Sequence, residues 1–171
     1  KKQLKLKNIS VEDIPYIQEG LSIKTGADTL FSEFLQTGLL YVQTASSMIP
    51  AKVLGPDAGD HVLDMCAAPG SKTTHIAALM GNRGSIDAWD VYPHKVKLIK
   101  ENANRLGISI IHTEVRDSVK PLPFLYETYD KVLLDAPCSG LGVLGHKVEL
   151  RWRRKESDLS VFPPLQKQLI E

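Results

Sequence analysis

The stretch LDMCAAPGSKTTHIAALM, residues 63–80, decides the fold of this chain. Its beginning belongs to HVLDMCA at 61–67, an apolar run that predicts a first strand, and THIAALM at 74–80 predicts the following helix. Small residues between them allow a ligand to approach the backbone, and the start of a helix favours an anion such as a carboxylate. An ordinary tight turn between strand and helix explains the small residues equally well.

The same alternation of short apolar runs and helix-length segments continues downstream. It predicts strands and a helix in this order: strand GSIDAWD at 84–90, helix HKVKLIKENANRLG at 94–107, strand SIIHTEV at 109–115 and strand KVLLDAP at 131–137. Such βαβ units are typical of an α/β fold with a parallel sheet and helices on both faces. The continuous apolar run at 132–134 predicts that the fourth strand is central in the sheet.

The two ends of the chain have different patterns. Glycines interrupt any long period in residues 1–50, so no long regular element is predicted there. Residues 141–164 are charged, contain RWRR, and end in Pro163-Pro164. Because proline breaks helices, we expect a loop there and a helix from about Leu165.

Composition sets broad limits on function. The 171 residues are 43% hydrophobic with a net charge of +1, which indicates one globular domain and not a protein that coats nucleic acid non-specifically. Two cysteines are too few for a disulfide framework, so a reducing compartment is expected. No apolar run approaches the roughly 20 residues that cross a bilayer, and no signal peptide follows KKQLKLK. We therefore predict a soluble cytoplasmic protein.

Polar side chains follow the predicted strands at their carboxyl ends, where ligands bind in such sheets. Asp90 ends the second strand and suits ribose hydroxyls, and Asp117 follows the third, although either acid can also be an ordinary surface or capping residue. DAPCSGLG follows the fourth strand and groups Asp135, Pro137 and Cys138. A free cysteine is usually a small buried hydrophobe, but the adjoining proline and glycines favour a loop.

Together these motifs resemble the RsmB/NOL1/NOP2/Sun family of RNA 5-methylcytosine methyltransferases, most closely its bacterial 16S ribosomal RNA branch. The resemblance extends over about residues 38–171 and includes YVQTASS, LDMCAAPGSKTTHIAALM, DKVLLDAPCSGLGVL, LRWRR and PPLQKQLI. It implies that residues 38–171 are a partial S-adenosylmethionine-binding domain and that residues 1–37 are an N-terminal extension, expected to be the tail of an RNA-binding subdomain. It implies a Rossmann-like fold, S-adenosylmethionine as cofactor and RNA, expected to be 16S ribosomal RNA, as partner, with no metal and no membrane.

The resemblance also implies roles for individual residues. The methionine end of the cofactor is expected to lie on one loop, made of Cys66, Ala67, Ala68, Pro69, Gly70, Ser71 and Lys72. Asp90 would hold the ribose, Asp117 the adenine region, and Asp135 the cofactor and the target base. Cys138 would assist release of the product, whereas the family's nucleophile lies in a later TCS motif that these 171 residues do not contain.

From the resemblance we expect the nucleophile beyond Glu171, no activity in this chain alone, and a sheet incomplete on its C-terminal side. The open edge of the fourth strand would then favour self-association. Three residues depart from the family pattern, Thr44, Ser71 and Lys95. Thr44 replaces an acid and would alter packing or RNA positioning.

Three other interpretations remain open: a cofactor- or RNA-binding module without turnover, a tRNA cytosine methyltransferase, and an enzyme that uses Cys138 itself as nucleophile, as DNA cytosine-5 methyltransferases use theirs. The RWRR segment offers charge and a stacking ring for nucleic acid. A solvated loop with one packed tryptophan, Trp152, explains that segment equally well.

Overall fold

The computed structural model describes residues 4, 9–25, 29–120, 123–145, 148–153 and 155–171. Its strands are β1 (Ser10–Ile14), β2 (Ile17–Thr25), β3 (His61–Asp64), β4 (Ser85–Asp90), β5 (Ile111–Val115) and β6 (Lys131–Leu133). Its α-helices are α1 (Thr29–Gln36), α2 (Ala45–Leu54), α3 (Ser71–Leu79), α4 (Pro93–Arg105), α5 (Leu150–Arg153) and α6 (Asp158–Ile170).

Strands β3 to β6 form a parallel sheet in the order β5-β4-β3-β6. Helix α3 connects β3 to β4, and α4 connects β4 to β5, so two consecutive βαβ units are present. This confirms the predicted α/β fold with a parallel sheet flanked by helices. Because all four strands run the same way, their carboxyl ends lie along one edge, where ligands bind in such folds.

One face of the sheet packs against a helix layer. Alternate strand residues such as Val62 and Ile86 point to it and meet Ile76 and Met80 from α3 and its C-terminus, all of them fully buried. Burying each such side chain contributes about 1.5–3 kcal/mol relative to leaving it in water. The layer therefore fixes α3, and with it the loop that precedes α3.

The opposite face of β3 and β4 carries a polar and aromatic cluster. The Tyr129 hydroxyl donates to Asp87 Oδ2 at 2.8 Å, and His61 Nε2 lies 3.3 Å from the same oxygen. The Tyr129 ring also meets Trp89 edge-on at 6.4 Å between centroids. Burial, followed by the Asp87 carboxylate, raises the pKa of Tyr129 well above its usual value, so Tyr129 remains the hydrogen-bond donor.

The fourth predicted strand differs from expectation. Strand β6 covers only residues 131–133 of the predicted 131–137, and it lies beside β3 at an edge of the described sheet. The predicted central position is not observed, whereas the open edge agrees with what the resemblance implied. Leu133 faces the helix layer and is buried, whereas Val132 is 49% exposed. The run of apolar residues indicated a strand covered on both faces, but within the described residues only the Leu133 side is covered.

The N-terminal region is ordered around an antiparallel hairpin of β1 and β2, which the sequence did not predict. Glu19 on β2 reaches the helix layer, where its Oε1 lies 2.7 Å from Nε2 of the buried His75 and its Oε2 3.4 Å from Lys52 Nζ. Farther along, Arg105 Nη1 donates to the Leu35 carbonyl at 2.6 Å. These polar contacts attach residues before position 38 to the sheet domain.

The C-terminal helix also begins earlier than predicted. Helix α6 starts at Asp158 and contains both Pro163 and Pro164, so the expectation of a loop up to Pro164 is wrong. The helical φ suits proline. Because proline has no N–H, the carbonyls of residues 159 and 160 lose their helical partners, but both residues are exposed and water can donate to them instead. Near the end of α6 Gln166 donates to the Pro137 carbonyl at 2.8 Å.

Candidate cofactor crevice

The loop after β3 is held by backbone hydrogen bonds on both sides. Ala67 N–H donates to the Trp89 carbonyl at 2.8 Å, and Gly70 N–H donates to the Ala67 carbonyl at 2.7 Å. From α4, the Asn102 side chain donates to the Pro69 carbonyl at 3.0 Å. The predicted strand at 61–67 thus ends at Asp64, and residues 65–70 form a fixed turn at the N-terminus of α3.

Gly70 is required by geometry. Its φ of 98° lies in the left-handed region, and a Cβ built on it would come within 3.2 Å of the Ile99 backbone on α4. A side chain would force the loop and α4 apart. Gly70 therefore allows the loop and α4 to approach closely.

Asp64 is the residue of the crevice that the sequence interpretation missed. Its carboxylate is 1% exposed at the end of β3, Oδ2 accepts from the Thr73 hydroxyl at 2.7 Å, and Oδ1 has no partner among the described residues. Burial raises the pKa of Asp64 to about 6, against the lowering effects of Thr73, the Cys66 amide and Lys72. An acid within an apolar strand was the available signal, since such a group is rarely buried without a partner.

Two residues from distant motifs meet across the crevice. Lys72, in the first turn of α3, donates from Nζ to Asp135 Oδ2, although 63 positions separate them. The Lys72 side chain is largely buried, whereas Asp135 is half exposed. The structure therefore joins the loop after β3 to the DAPCSGLG loop after β6.

The two cysteines occupy different environments, and both are free thiols. Cys66 is partly buried, and burial together with Asp64, Asp90 and Asp135 raises its pKa to about 11, so it is protonated at neutral pH. Cys138 is exposed on the loop after β6. This agrees with the loop that the adjoining proline and glycines indicated for Cys138.

Asp90 and Asp117 lie at the ends of the next strands. Asp90 is buried, and its Oδ1 accepts from the Tyr92 amide at 3.0 Å. Asp117 Oδ1 accepts from the Val119 amide at 3.2 Å, a local turn contact, and the preceding Arg116 amide donates to the Asp90 carbonyl at 3.0 Å. Both acids therefore stand at the carboxyl edge of the sheet, as predicted.

The crevice is acidic overall. Asp64, Asp90 and Asp135 all act electrostatically on Cys66, which places three carboxylates around one loop. Lys95 acts on Cys66 with the opposite sign and Lys72 pairs with Asp135, so these carboxylates outnumber the two lysines. Carboxylates in a partly buried crevice favour a ligand that carries positive charge. Among the described residues, no group of three or more His, Cys, Asp or Glu side chains could hold a metal ion. No helix in this part of the chain is long and apolar enough to cross a membrane.

The three departures have local explanations. Thr44 is the N-cap of α2, where its hydroxyl accepts from the Ser47 amide at 3.3 Å, a role that an acid fills equally well. Ser71 is the first residue of α3. Lys95 Nζ lies 4.6 Å from the centre of the Tyr92 ring, a contact that arginine also makes.

A parallel sheet with a small-residue loop after its first strand and acids at the following strand ends defines the class of Rossmann-like methyltransferases. The chain belongs to the 16S rRNA methyltransferase RsmB/F family, whose family model matches residues 51–171. This confirms the resemblance drawn from the motifs.

Two relatives illustrate the family. The chain is 40% identical over 169 residues to the probable ribosomal RNA small subunit methyltransferase B of Bacillus subtilis, covering 98% of this chain and 38% of that protein. It is 41% identical over 143 residues to human tRNA (cytosine(72)-C(5))-methyltransferase NSUN6, covering 77% of this chain and 30% of that protein. The chain thus spans 38% and 30% of the length of these two relatives.

Solved structures agree with the fold. A methyltransferase homolog from Pyrococcus horikoshii superposes with a TM-score of 0.83 at 35% identity, covering 99% of this chain and 53% of that one. NSun6 from the same organism, solved with SFG, gives a TM-score of 0.74 at 34% identity, covering 88% of this chain and 40% of that one.

Proposed function

We propose that this protein transfers a methyl group from S-adenosylmethionine to carbon 5 of cytosine in RNA. The observation that carries the proposal is the convergence of the loop at residues 66–72, Asp90 and Asp135 at one edge of the sheet. Membership of the RsmB/F family supports the reaction class, and similarity to NSUN6, a tRNA (cytosine(72)-C(5))-methyltransferase, supports cytosine in RNA as the target.

The crevice fits this cofactor in charge. S-adenosylmethionine carries positive charge on its sulfonium and its amino group, and one negative charge on its carboxylate. Asp64 Oδ1 is buried and lacks a partner among the described residues, so it can accept from a cationic ligand group, and the N-terminus of α3 can receive the carboxylate. We assign the methionine end to the loop at residues 66–72, the ribose to Asp90 and the adenine region to Asp117.

Cofactor binding is testable by calorimetry. Asp90→Ala should weaken S-adenosylmethionine binding by about 1–3 kcal/mol if a hydrogen bond from the ribose to the carboxylate is lost. Glu101→Gln on the exposed surface of α4 is the matched control and should bind like the parent. Unchanged affinity in Asp90→Ala would remove Asp90 from the site.

The chemistry needs a thiolate. Carbon 5 of cytosine becomes nucleophilic only after a thiolate adds to carbon 6, and the carbon 5 proton must later leave so that the thiolate can be eliminated. Cys66, with a pKa of about 11, is a poor candidate for the thiolate. From the resemblance to the family, we propose that Cys138 assists elimination and that the nucleophile is a further cysteine outside these 171 residues, so that this chain alone does not turn over.

A second assignment makes Cys138 itself the nucleophile, because its exposed thiol follows closely after Asp135. The two assignments differ in what Cys138→Ala does in the protein as encoded in full. If Cys138 assists elimination, the variant still adds to carbon 6 and accumulates a covalent protein–RNA adduct. If Cys138 is the nucleophile, no adduct forms. Denaturing electrophoresis with labelled RNA separates these outcomes.

The RNA target is proposed to be 16S ribosomal RNA, in the cytoplasm. Similarity to ribosomal RNA small subunit methyltransferases favours it, whereas similarity to NSUN6 favours tRNA. Methylation assays on unmodified 16S ribosomal RNA and on unmodified tRNA in parallel distinguish the two substrates.

We further propose that residues 1–37 are the end of an RNA-binding unit, attached to the methyltransferase domain through Glu19 and His75. The edge strand β6, with Val132 half exposed, is a place where two copies of the 171-residue chain can pair. Sedimentation of that chain with and without Val132→Lys tests this association, which the added charge should prevent.

A further inference from the structure

Trp152 is the most exposed of the large apolar side chains in the part of the chain that the structure describes, at 87% of its surface. The other tryptophan, Trp89, is 6% exposed and lies beside Tyr129 and Arg116. Leaving an indole in water forgoes the hydrophobic stabilisation of its burial, and such rings are common where a protein binds a partner. The position of Trp152 in the fold indicates which partner.

Trp152 is carried beside the loop that contains Cys138. It lies on the single-turn helix α5, and Leu150 from that helix lines a small cavity of about 340 Å³ together with Ser139, the residue after Cys138. Helix α6 is fastened to the same loop through Gln166 and the Pro137 carbonyl. Helix α5, which carries Trp152, therefore lies beside the proposed catalytic loop, and the indole itself is open to solvent.

The surroundings of Trp152 are suited to an RNA strand. Residues 149–156 contain four basic and two acidic side chains, and Arg153 and Lys155 are exposed. Basic side chains beside an aromatic ring form the common platform for single-stranded nucleic acid, in which the cations contact phosphates and the ring stacks on a base.

The proposed reaction makes such a platform useful. Carbons 5 and 6 of the target cytosine are accessible only when the base leaves its stack, and this uncovers the face of a neighbouring base. We propose that the Trp152 indole stacks on a base next to the target cytosine and that Arg153 contacts the adjoining phosphate. This inference rests on the proposed function and adds to it a contact that positions the RNA.

Fluorescence reads this contact without requiring turnover. The test uses a variant of the full-length protein in which every tryptophan except Trp152 is changed to phenylalanine, Trp89 included. The Trp152 indole is then the only source of tryptophan emission. Before RNA is added, acrylamide should quench its emission readily. Binding of a single-stranded, cytosine-containing RNA oligonucleotide should quench the emission directly and protect it from acrylamide.

Affinity measurements supply the second test. Trp152→Ala should weaken binding of the same oligonucleotide by roughly 5- to 150-fold, the range expected for one stacked base, and Trp152→Phe should keep most of the affinity. Phe124→Ala is the matched control, because Phe124 is 72% exposed on the connection between β5 and β6. S-adenosylmethionine affinity should be unchanged in all three variants.

The outcomes separate the inference from the proposed function. An indole that acrylamide cannot reach before RNA is added packs against the protein's own chain, which overturns the inference. RNA binding without a change in emission, or full RNA affinity in Trp152→Ala, also overturns the inference. If methylation continues in either case, the proposed function still stands. Failure of the parent protein to bind RNA at all would contradict the inference and the proposed function together.

Discussion

Replacing Asp64 by asparagine should stabilise the protein at neutral pH while weakening cofactor binding. Asparagine has the same shape and keeps an oxygen to accept from the Thr73 hydroxyl, so the substitution removes mainly the buried negative charge. The charge is costly in the folded protein because the carboxyl is 1% exposed and one oxygen lacks a partner among the described residues. The same negative charge would attract a cationic group of the cofactor, so removing it should weaken binding.

The pKa of Asp64 sets the magnitude and the sign. Burial raises this pKa from 3.8 to about 6, so between these pH values the folded state binds more protons than the unfolded state. Stability therefore falls as pH rises through this window, by about 3 kcal/mol in all. Asp64→Asn should be more stable than the parent by up to that amount at pH 8, and the advantage should disappear near pH 4.

Urea unfolding followed by circular dichroism at pH 4 and pH 8 measures this difference. Asp57→Asn is the control, since it removes the same charge from an exposed position. Calorimetry at pH 8 should show that Asp64→Asn binds S-adenosylmethionine about 10-fold or more weakly, the loss expected for one hydrogen bond to a charged group. The reasoning is refuted if Asp64→Asn is no more stable than the parent at pH 8, or if its advantage is the same at both pH values.

Three further predictions concern the supports of the crevice, each measured by chemical unfolding. Gly70→Ala should lower the free energy of unfolding by about 1–2 kcal/mol and weaken cofactor binding, because φ is positive and the new Cβ would lie close to the Ile99 backbone. Equal stability of the variant and the parent would contradict this prediction. Thr44→Ala should lower the free energy of unfolding by about 1 kcal/mol, whereas Thr44→Asp should leave it unchanged because aspartate also caps the helix. Equal stability of Thr44→Ala and the parent would show that the cap does not contribute. Hydrogen bonds and nearby cations lower the pKa of Glu19 despite the raising effect of its burial, so Glu19→Gln should lose about 1–3 kcal/mol above pH 4.5. This difference in stability should shrink as the pH is lowered, because the parent's carboxylate becomes protonated. A difference that stays constant with pH would show that the charge of Glu19 does not contribute.

Local patterns predicted the parts of the fold that depend on neighbouring residues. The loop at residues 66–72 and the strand ending at Asp90 follow from apolar periodicity and small residues, and the structure has both. The contact between Lys72 and Asp135 spans 63 positions and depends on the order of strands, so no local pattern contains it. The resemblance to a family supplied the expectation that both residues serve one site.

The failures also have physical causes. Pro163 and Pro164 usually interrupt helices, but in α6 the carbonyls they leave free lie on exposed residues. The hairpin of β1 and β2 was missed because its residues lack a clear period, and its attachment through Glu19 and His75 joins positions 56 apart. Asp64 was missed because an acid at the end of an apolar strand resembles an ordinary strand terminus.

The most direct test of the central claim is to identify the methylated nucleoside. The protein as encoded in full is incubated with S-adenosylmethionine labelled in its methyl group and unmodified 16S ribosomal RNA, and the RNA is digested for mass spectrometry. The account predicts label in 5-methylcytidine, reduced in Asp90→Ala when S-adenosylmethionine is below saturation and retained in Glu101→Gln. Label in another nucleoside, or none in RNA although S-adenosylmethionine binds in the crevice, would contradict it.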